Sequence, residues 1–176
     1  IPSGIATDYF TSGFFRDLVE TGILRALYDF ENREGVFPAV DSRTKFSLLF
    51  LAGARQDASA ADFAFFMTRR EHLEDDWRHF SLSDEDIALL NPNTRTCPIF
   101  RSKRDAELTK SIYRRHPVLI REIYDDEGKQ IGEENPWGIS FRQGLFNMAS
   151  DSGLFRTREA LETDGFILRH PGNHFV

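Results

Sequence analysis

The sequence predicts an α/β fold with an α+β extension, and three observations carry that expectation. Lys45 to Ala52 is a nearly continuous apolar run of strand length, suited to a strand covered on both faces. A helix-period segment, Tyr9 to Glu20, lies between two stretches that read as strand. In the second half, Asn91-Pro92-Asn93-Thr94, His116-Pro117 and Gly128 cut the chain into short helices and strands.

Ile1 to Ala6 reads as the end of a buried strand followed by a polar turn. Thr7 or Asp8 can cap the helix that follows, Tyr9 to Glu20. Its apolar residues Phe10, Phe14, Leu18 and Val19 fall on one face, and Thr21-Gly22 ends it. Ile23 to Phe30 is predicted as a strand. A polar loop, Glu31 to Gly35, then leads through Val36-Phe37-Pro38 to the strand Lys45–Ala52. Ala61 to Met67 is a further strand. Arg70 to His79 and Ser83 to Leu90 read as short helices, the second with Ser83 as cap and Asp86 placed to answer it. Ser102 can cap a longer helix to about Arg115. Gly138 to Phe146 is predicted as strand and Thr157 as the start of a last helix that Gly165 closes. Phe166 to Leu168 and His174 to Val176 read as strand material.

The chain has 176 residues, of which 40% are hydrophobic and 28% charged, ordinary values for a folded domain with its own core. Phe accounts for 17 residues, so the core should be aromatic-rich, with rings to spare for a surface. A formal net charge of −6 argues against a general nucleic-acid glue. One cysteine, Cys97, rules out an internal disulfide and a cysteine-built zinc site, and points to the cytoplasm. No apolar run approaches the ~20 residues that span a bilayer. The opening Ile1-Pro2, already inside an apolar segment, reads as an internal cut in a longer protein.

Several stretches carry a family resemblance. They are Ile1-Pro2-Ser3-Gly4-Ile5-Ala6-Thr7, Phe14-Phe15-Arg16-Asp17-Leu18-Val19, Leu27-Tyr28-Asp29-Phe30-Glu31-Asn32, Val36-Phe37-Pro38-Ala39-Val40 and Ser42 to Leu49. Together they resemble the part that follows the catalytic motif in gamma-class DNA methyltransferases acting on adenine N6. Asn91-Pro92-Asn93-Thr94, Cys97-Pro98-Ile99-Phe100, Asp105-Ala106-Glu107 and Ile112-Tyr113-Arg114-Arg115 resemble large bacterial restriction-modification methylases. The resemblance implies a partial Rossmann-like sheet, made of the late strands of that fold. Its last strand would enter antiparallel between its two predecessors, so that Lys45–Ala52 pairs with Ile23–Phe30. Residues 1–68 would then be the C-terminal half of a catalytic domain and 69–176 an α+β extension toward a target-recognition region. The implied parent activity is transfer of a methyl group from S-adenosylmethionine to adenine N6 in double-stranded DNA. The family's Asn-Pro-Pro-Tyr motif and its glycine-rich cofactor loop are both absent here. No catalytic and no cofactor-binding residue is therefore expected in this chain, and S-adenosylmethionine belongs to the parent alone. The alternative is a non-enzymatic DNA- or protein-binding module that reuses such a half-sheet.

Carried over, the resemblance puts Phe37 in the loop where the family stacks an aromatic ring on the flipped base. The plainer reading is a Phe that plugs a strand corner. Arg43 and Lys45, at the start of the next strand, can contact phosphates or solvate a strand end. Arg101 to Arg121 is the one basic island: seven cations against two carboxylates give +5, leaving −11 for the remainder. On a helix from Ser102, Lys103, Lys110 and Arg114 share one side and Leu108 and Ile112 point inward. That side is either a phosphate-facing or a merely solvated one. Glu127-Gly128-Lys129 ends like a nuclease metal motif but lies on a predicted turn, and the five histidines form no zinc-ligand pair, so no metal is expected. Trp77 and Trp137 read as core or interface residues.

Overall fold

The computed structural model describes residues 1–53, 60–125, 127–141, 144, 146–170 and 174–175. The chain divides into two compact units, Ile1–Trp137 and Gly138–Val176.

The first unit is built on a four-stranded mixed sheet in the order β2-β1-β3-β4. Its strands are β1 (Leu24–Glu31), β2 (Lys45–Leu51), β3 (Ala61–Met67) and β4 (Phe80–Leu82). The expected pairing of the first two is present: β1 and β2 run antiparallel, from Leu24 opposite Leu51 to Glu31 opposite Lys45. On its other edge β2 meets the chain start. The Ser47 N–H donates to the Ile1 carbonyl at 2.7 Å, and the Ile1 amino group donates back to the Ser47 carbonyl at 3.1 Å. Pro2 bridges Phe46 in the same antiparallel sense. Thus β2 lies between residues 1–2 and β1. The remaining pairs are β1 with β3, parallel, and β3 with β4, antiparallel.

Alternation along β1 decides the two faces of this sheet. One face carries Leu27, Phe63, Phe65, Phe80 and Leu82 into the main core. Helices α2 (Ser12–Glu20), α3 (Asp84–Leu90) and α4 (Lys103–Arg115) cover it with Phe15, Leu18, Ile87, Leu90 and Ala106. Each such Phe, Leu or Ile side chain removed from water contributes roughly 1.5–3 kcal/mol. Residues 1–68 share this core with residues 80–106. The other face holds a smaller cluster, Phe30, Ala64 and Met67, with Tyr28 and Phe46 against it. There Tyr28 donates its hydroxyl to Asp62 at 2.9 Å, and the His79 ring meets the same carboxylate at 2.6 Å. Burial, followed by the Asp62 hydrogen bond, pushes the Tyr28 phenol up to about 12.

Several expectations are corrected. Residues Ile1 to Ala6, expected as a strand end followed by a polar turn, supply one bridge at Pro2 and then a short helix, α1 (Gly4–Thr7). A 3-10 turn, Tyr9–Thr11, precedes α2 and resets the helical phase. Phe10, 98% exposed, and Phe14 consequently face outward, while Phe15 and Leu18 face the core. Arg70 to His79 is helical only as a 3-10 turn, Arg70–Glu74, and leads into β4. The capping box of α3 is as expected: Asp86 N–H donates to Ser83 Oγ at 3.1 Å, and Ser83 N–H donates to Asp86 at 3.4 Å. Ser102 caps α4 in the same manner, accepting from Asp105 N–H at 3.1 Å.

A hairpin of β5 (Arg121–Tyr124) and β6 (Gln130–Glu134) completes the unit, turning at Gly128 with φ of +77°. Asp125 holds that turn by accepting from the N–H groups of Glu127 and Lys129. Only the hairpin's turn at Gly128 is expected from the sequence; the strand expected at 138–146 falls partly outside the described residues, and those described there show no strand. The second unit contains α5 (Arg158–Thr163), capped by Thr157, and the pair β7 (Leu168–His170) and β8 (His174–Phe175). Val176 lies outside the described residues. No helix among the described residues is long and apolar enough to cross a membrane.

Candidate nucleic-acid interface

Parallel strands β1 and β3 end on the same edge of the sheet, where open α/β sheets place their ligands. The segment leaving β1 begins with Asn32, only 1% exposed, in a 3-10 turn closed by Gly35 at φ +71°. One side chain organises the whole loop. Asn32 Nδ2 donates to the carbonyls of Phe37 at 2.9 Å and Val40 at 2.8 Å, and its Oδ1 accepts from the Phe37 N–H at 2.8 Å. Its own N–H donates to the Thr44 carbonyl at 2.9 Å, tying the loop base to β2. Both backbone polar groups of Phe37 are therefore held from inside the protein.

Phe37 is 49% exposed. Only part of it packs: its ring centroid lies 4.9 Å from that of Phe46, with the planes at 67°. Phe46 in turn stacks on Phe30 at 5.2 Å and 5°. Phe37 thus stands on an aromatic column and presents the rest of its surface to solvent. Neither hydrophobic core cluster includes it. Next to the loop, Thr68 Oγ1 donates to Glu34 at 2.8 Å and Arg69 pairs with Glu34 at 2.8 Å, which joins the ends of β1 and β3.

The cations expected to contact DNA, Arg43 and Lys45 beside this loop and Lys103, Lys110 and Arg114 on the helix from Ser102, are distributed unevenly. Arg43 is exposed and folds back on Asp41, with Nε and Nη2 each 3.2 Å from its carboxylate. That contact holds the Asp41 carboxyl below the usual range. Lys45 is exposed at the start of β2, opposite Glu31. Lys103 is exposed at the start of α4. Lys110 differs from expectation: it is 6% exposed, and its ammonium lies 2.7 Å from Glu107, 3.4 Å from Asp86 and 3.4 Å from the Ser81 carbonyl. Arg114 reaches the other oxygen of Asp86 at 3.2 Å. The face of α4 turned inward is Ala106, Lys110 and Tyr113, while Leu108 and Ile112 point out. Lys110 therefore ties α4 to α3 and is not available to a phosphate. The apolar spacing of Leu108 and Ile112 concealed this, because the lysine stem itself packs on the helix pair.

The sequence does not mark Asn32 as a functional residue. An Asn after a strand and before a Gly signals a turn, yet nothing local signals its burial. The same holds for Asp29, buried in β1, whose carboxylate accepts from Ser47 Oγ at 3.2 Å. Burial pushes the Asp29 carboxyl up, against the opposing pull of Ser3, Ser47 and Lys45. A raised folded-state value means that the native chain holds this proton more tightly than the unfolded one. Stability is then greatest below the unfolded value and falls as pH rises through the folded one. Asp29→Asn should accordingly raise Tm at neutral pH, and the gain should fade below the ordinary carboxylate range. A thermal melt series across pH checks this, and a gain that grew toward acid would contradict it.

The segments after β1 and β3 are short 3-10 turns, not glycine-rich loops that open an α-helix. Neither segment offers the glycine-rich cradle expected of an S-adenosylmethionine site. Among them, no group of three or more His, Cys, Asp or Glu could hold a metal ion. Compared with known proteins, the chain has no matching family model, and no curated protein or solved structure matches it significantly.

Proposed function

We propose that this chain is part of an S-adenosylmethionine-dependent DNA adenine-N6 methyltransferase of a restriction-modification or related defence system. Its share of the work is to capture the target base and carry part of the DNA cleft. The observation that carries this reading is the Phe37 loop: an exposed ring on backbone clamped by a buried Asn, at the edge where β1 and β3 end. An enzyme that modifies a base in duplex DNA takes it out of the stack and must replace the missing stacking. A rigid half-exposed phenyl face does that for any base and needs no hydrogen-bond readout. The antiparallel position of β2, between residues 1–2 and β1, supports a Rossmann-like parentage for the sheet.

Methyl transfer itself belongs to residues of the parent protein outside this chain. Calorimetric titration of the chain with S-adenosylmethionine should give no measurable heat, and micromolar binding would mean that the cofactor site is misplaced. The parent reading is tested by extending the reading frame upstream of Ile1. An Asn-Pro-Pro-Tyr motif preceded by a glycine-rich strand–loop–helix supports it. A start codon at Ile1 removes it.

A further inference from the structure

We infer that Phe66, Arg101, Lys103, Arg104 and Trp77 form a second nucleic-acid contact, a ledge that takes the phosphodiester backbone of duplex DNA. The first observation is backbone strain. Phe66 has φ of +61°, a left-handed conformation in which a bulky residue is a genuine outlier. The cause is a β-bulge: Tyr28 pairs with Ala64 and Phe30 with Met67, so Phe65 and Phe66 together face Asp29. Phe65 goes to the core, while Phe66 is pushed out and left 38% exposed. Core burial does not offset the strain at Phe66, and strain of this kind collects at functional sites.

The second observation concerns charge. The Arg101 guanidinium lies 4.7 Å over the Phe66 ring. Two residues on, the Lys103 N–H donates to the Trp77 carbonyl at 2.8 Å, which sets the exposed indole beside Lys103 and Arg104. Among the described residues, no carboxylate lies within ion-pairing distance of Arg101, Lys103 or Arg104, whereas Lys110 pairs with Glu107 and Asp86, and Arg114 with Asp86. These three cations do not serve the helix either, since positive charge is disfavoured in a first turn. Glu107, which pairs with Lys110, also lines the ledge and limits it to a few phosphates. Arginine and lysine beside exposed aromatics, at the same edge of the sheet as Phe37, match a DNA strand running past the captured base. Only the choice of DNA over an acidic protein segment rests on the proposed function.

The test is fluorescence anisotropy of a short labelled duplex with the full chain across a KCl series. Duplex binding at low salt is expected. The triple variant Arg101→Gln, Lys103→Gln, Arg104→Gln should flatten its salt slope by about 0.9 for each phosphate no longer neutralised. Arg158→Gln, on α5, serves as the control for removing a cation elsewhere. Phe66→Gly should keep the fold, because glycine adopts that φ freely, and should weaken binding. An unchanged slope in the triple variant, or no duplex binding by the wild type at low salt, would overturn the inference. So would poly-glutamate displacing DNA equally at matched charge. A missing upstream motif would sink the methyltransferase reading without altering this slope.

Discussion

Phe37→Ala, introduced into a methyltransferase that carries this segment, is expected to weaken capture of the extrahelical adenine by about 5- to 150-fold. That range corresponds to the ~1–3 kcal/mol of one base–aromatic stack. Stability should fall by less than about 1 kcal/mol, because the ring is already half in water and belongs to no core cluster. Phe37→Leu should be intermediate, keeping apolar contact with Phe46 without the flat face. Cofactor affinity should be unchanged. The readouts are chemical unfolding and the fluorescence of 2-aminopurine at the target position, which brightens when the base leaves the stack. Strong destabilisation with normal brightening would return Phe37 to the role of a corner plug.

The opposite pattern is expected at Phe63. Its ring is fully buried, 6.4 Å from Phe65 and 6.0 Å from Phe80 by centroid, and touches nothing at the β1/β3 edge that a ligand could use. Phe63→Ala should cost about 3–5 kcal/mol of stability, from the forfeited transfer energy and the cavity left behind. At ~2–4 °C per kcal/mol for a chain of this size, Tm should drop by roughly 6–20 °C. Denaturant unfolding followed by circular dichroism measures it. A loss below about 1 kcal/mol would mean that the aromatic core is loosely packed and tolerates the hole.

The contrast between these two residues shows which features could be read from the sequence. Strands β1, β2 and β3 are legible because their apolar runs are long and bounded by turn residues. But β2, expected to be covered on both faces, leaves Leu48, Phe50 and Leu51 exposed because only residues 1–2 bridge its outer edge. The caps at Ser83 and Ser102 were legible because a cap is a local contact between residues three apart. Helix phase was not. A 3-10 turn before α2 and a buried lysine on α4 each inverted the expected face, and both depend on tertiary contacts. The β5–β6 hairpin was missed since its strands are short and largely exposed, so no alternation marks them. In the loop after β1 only the family resemblance points to the exposed ring. Its support, Asn32, reaches residues five and eight positions along the chain and emerges only once the loop closes. Phe66 was invisible for a similar reason: a bulge arises from pairing between strands and leaves no mark on either one.

Asn32 also bears on how binding would be divided between enthalpy and entropy. A loop that a ligand must order charges that ordering against affinity, typically about 0.5–1.5 kcal/mol for each immobilised side chain. Here the backbone on both sides of Phe37 is fixed when the protein folds, by hydrogen bonds that exist before any DNA arrives. The conformational entropy of the loop is thus given up during folding and not during recognition. An incoming base would meet a preorganised surface, and its affinity would reflect contact and desolvation with little deduction for induced order.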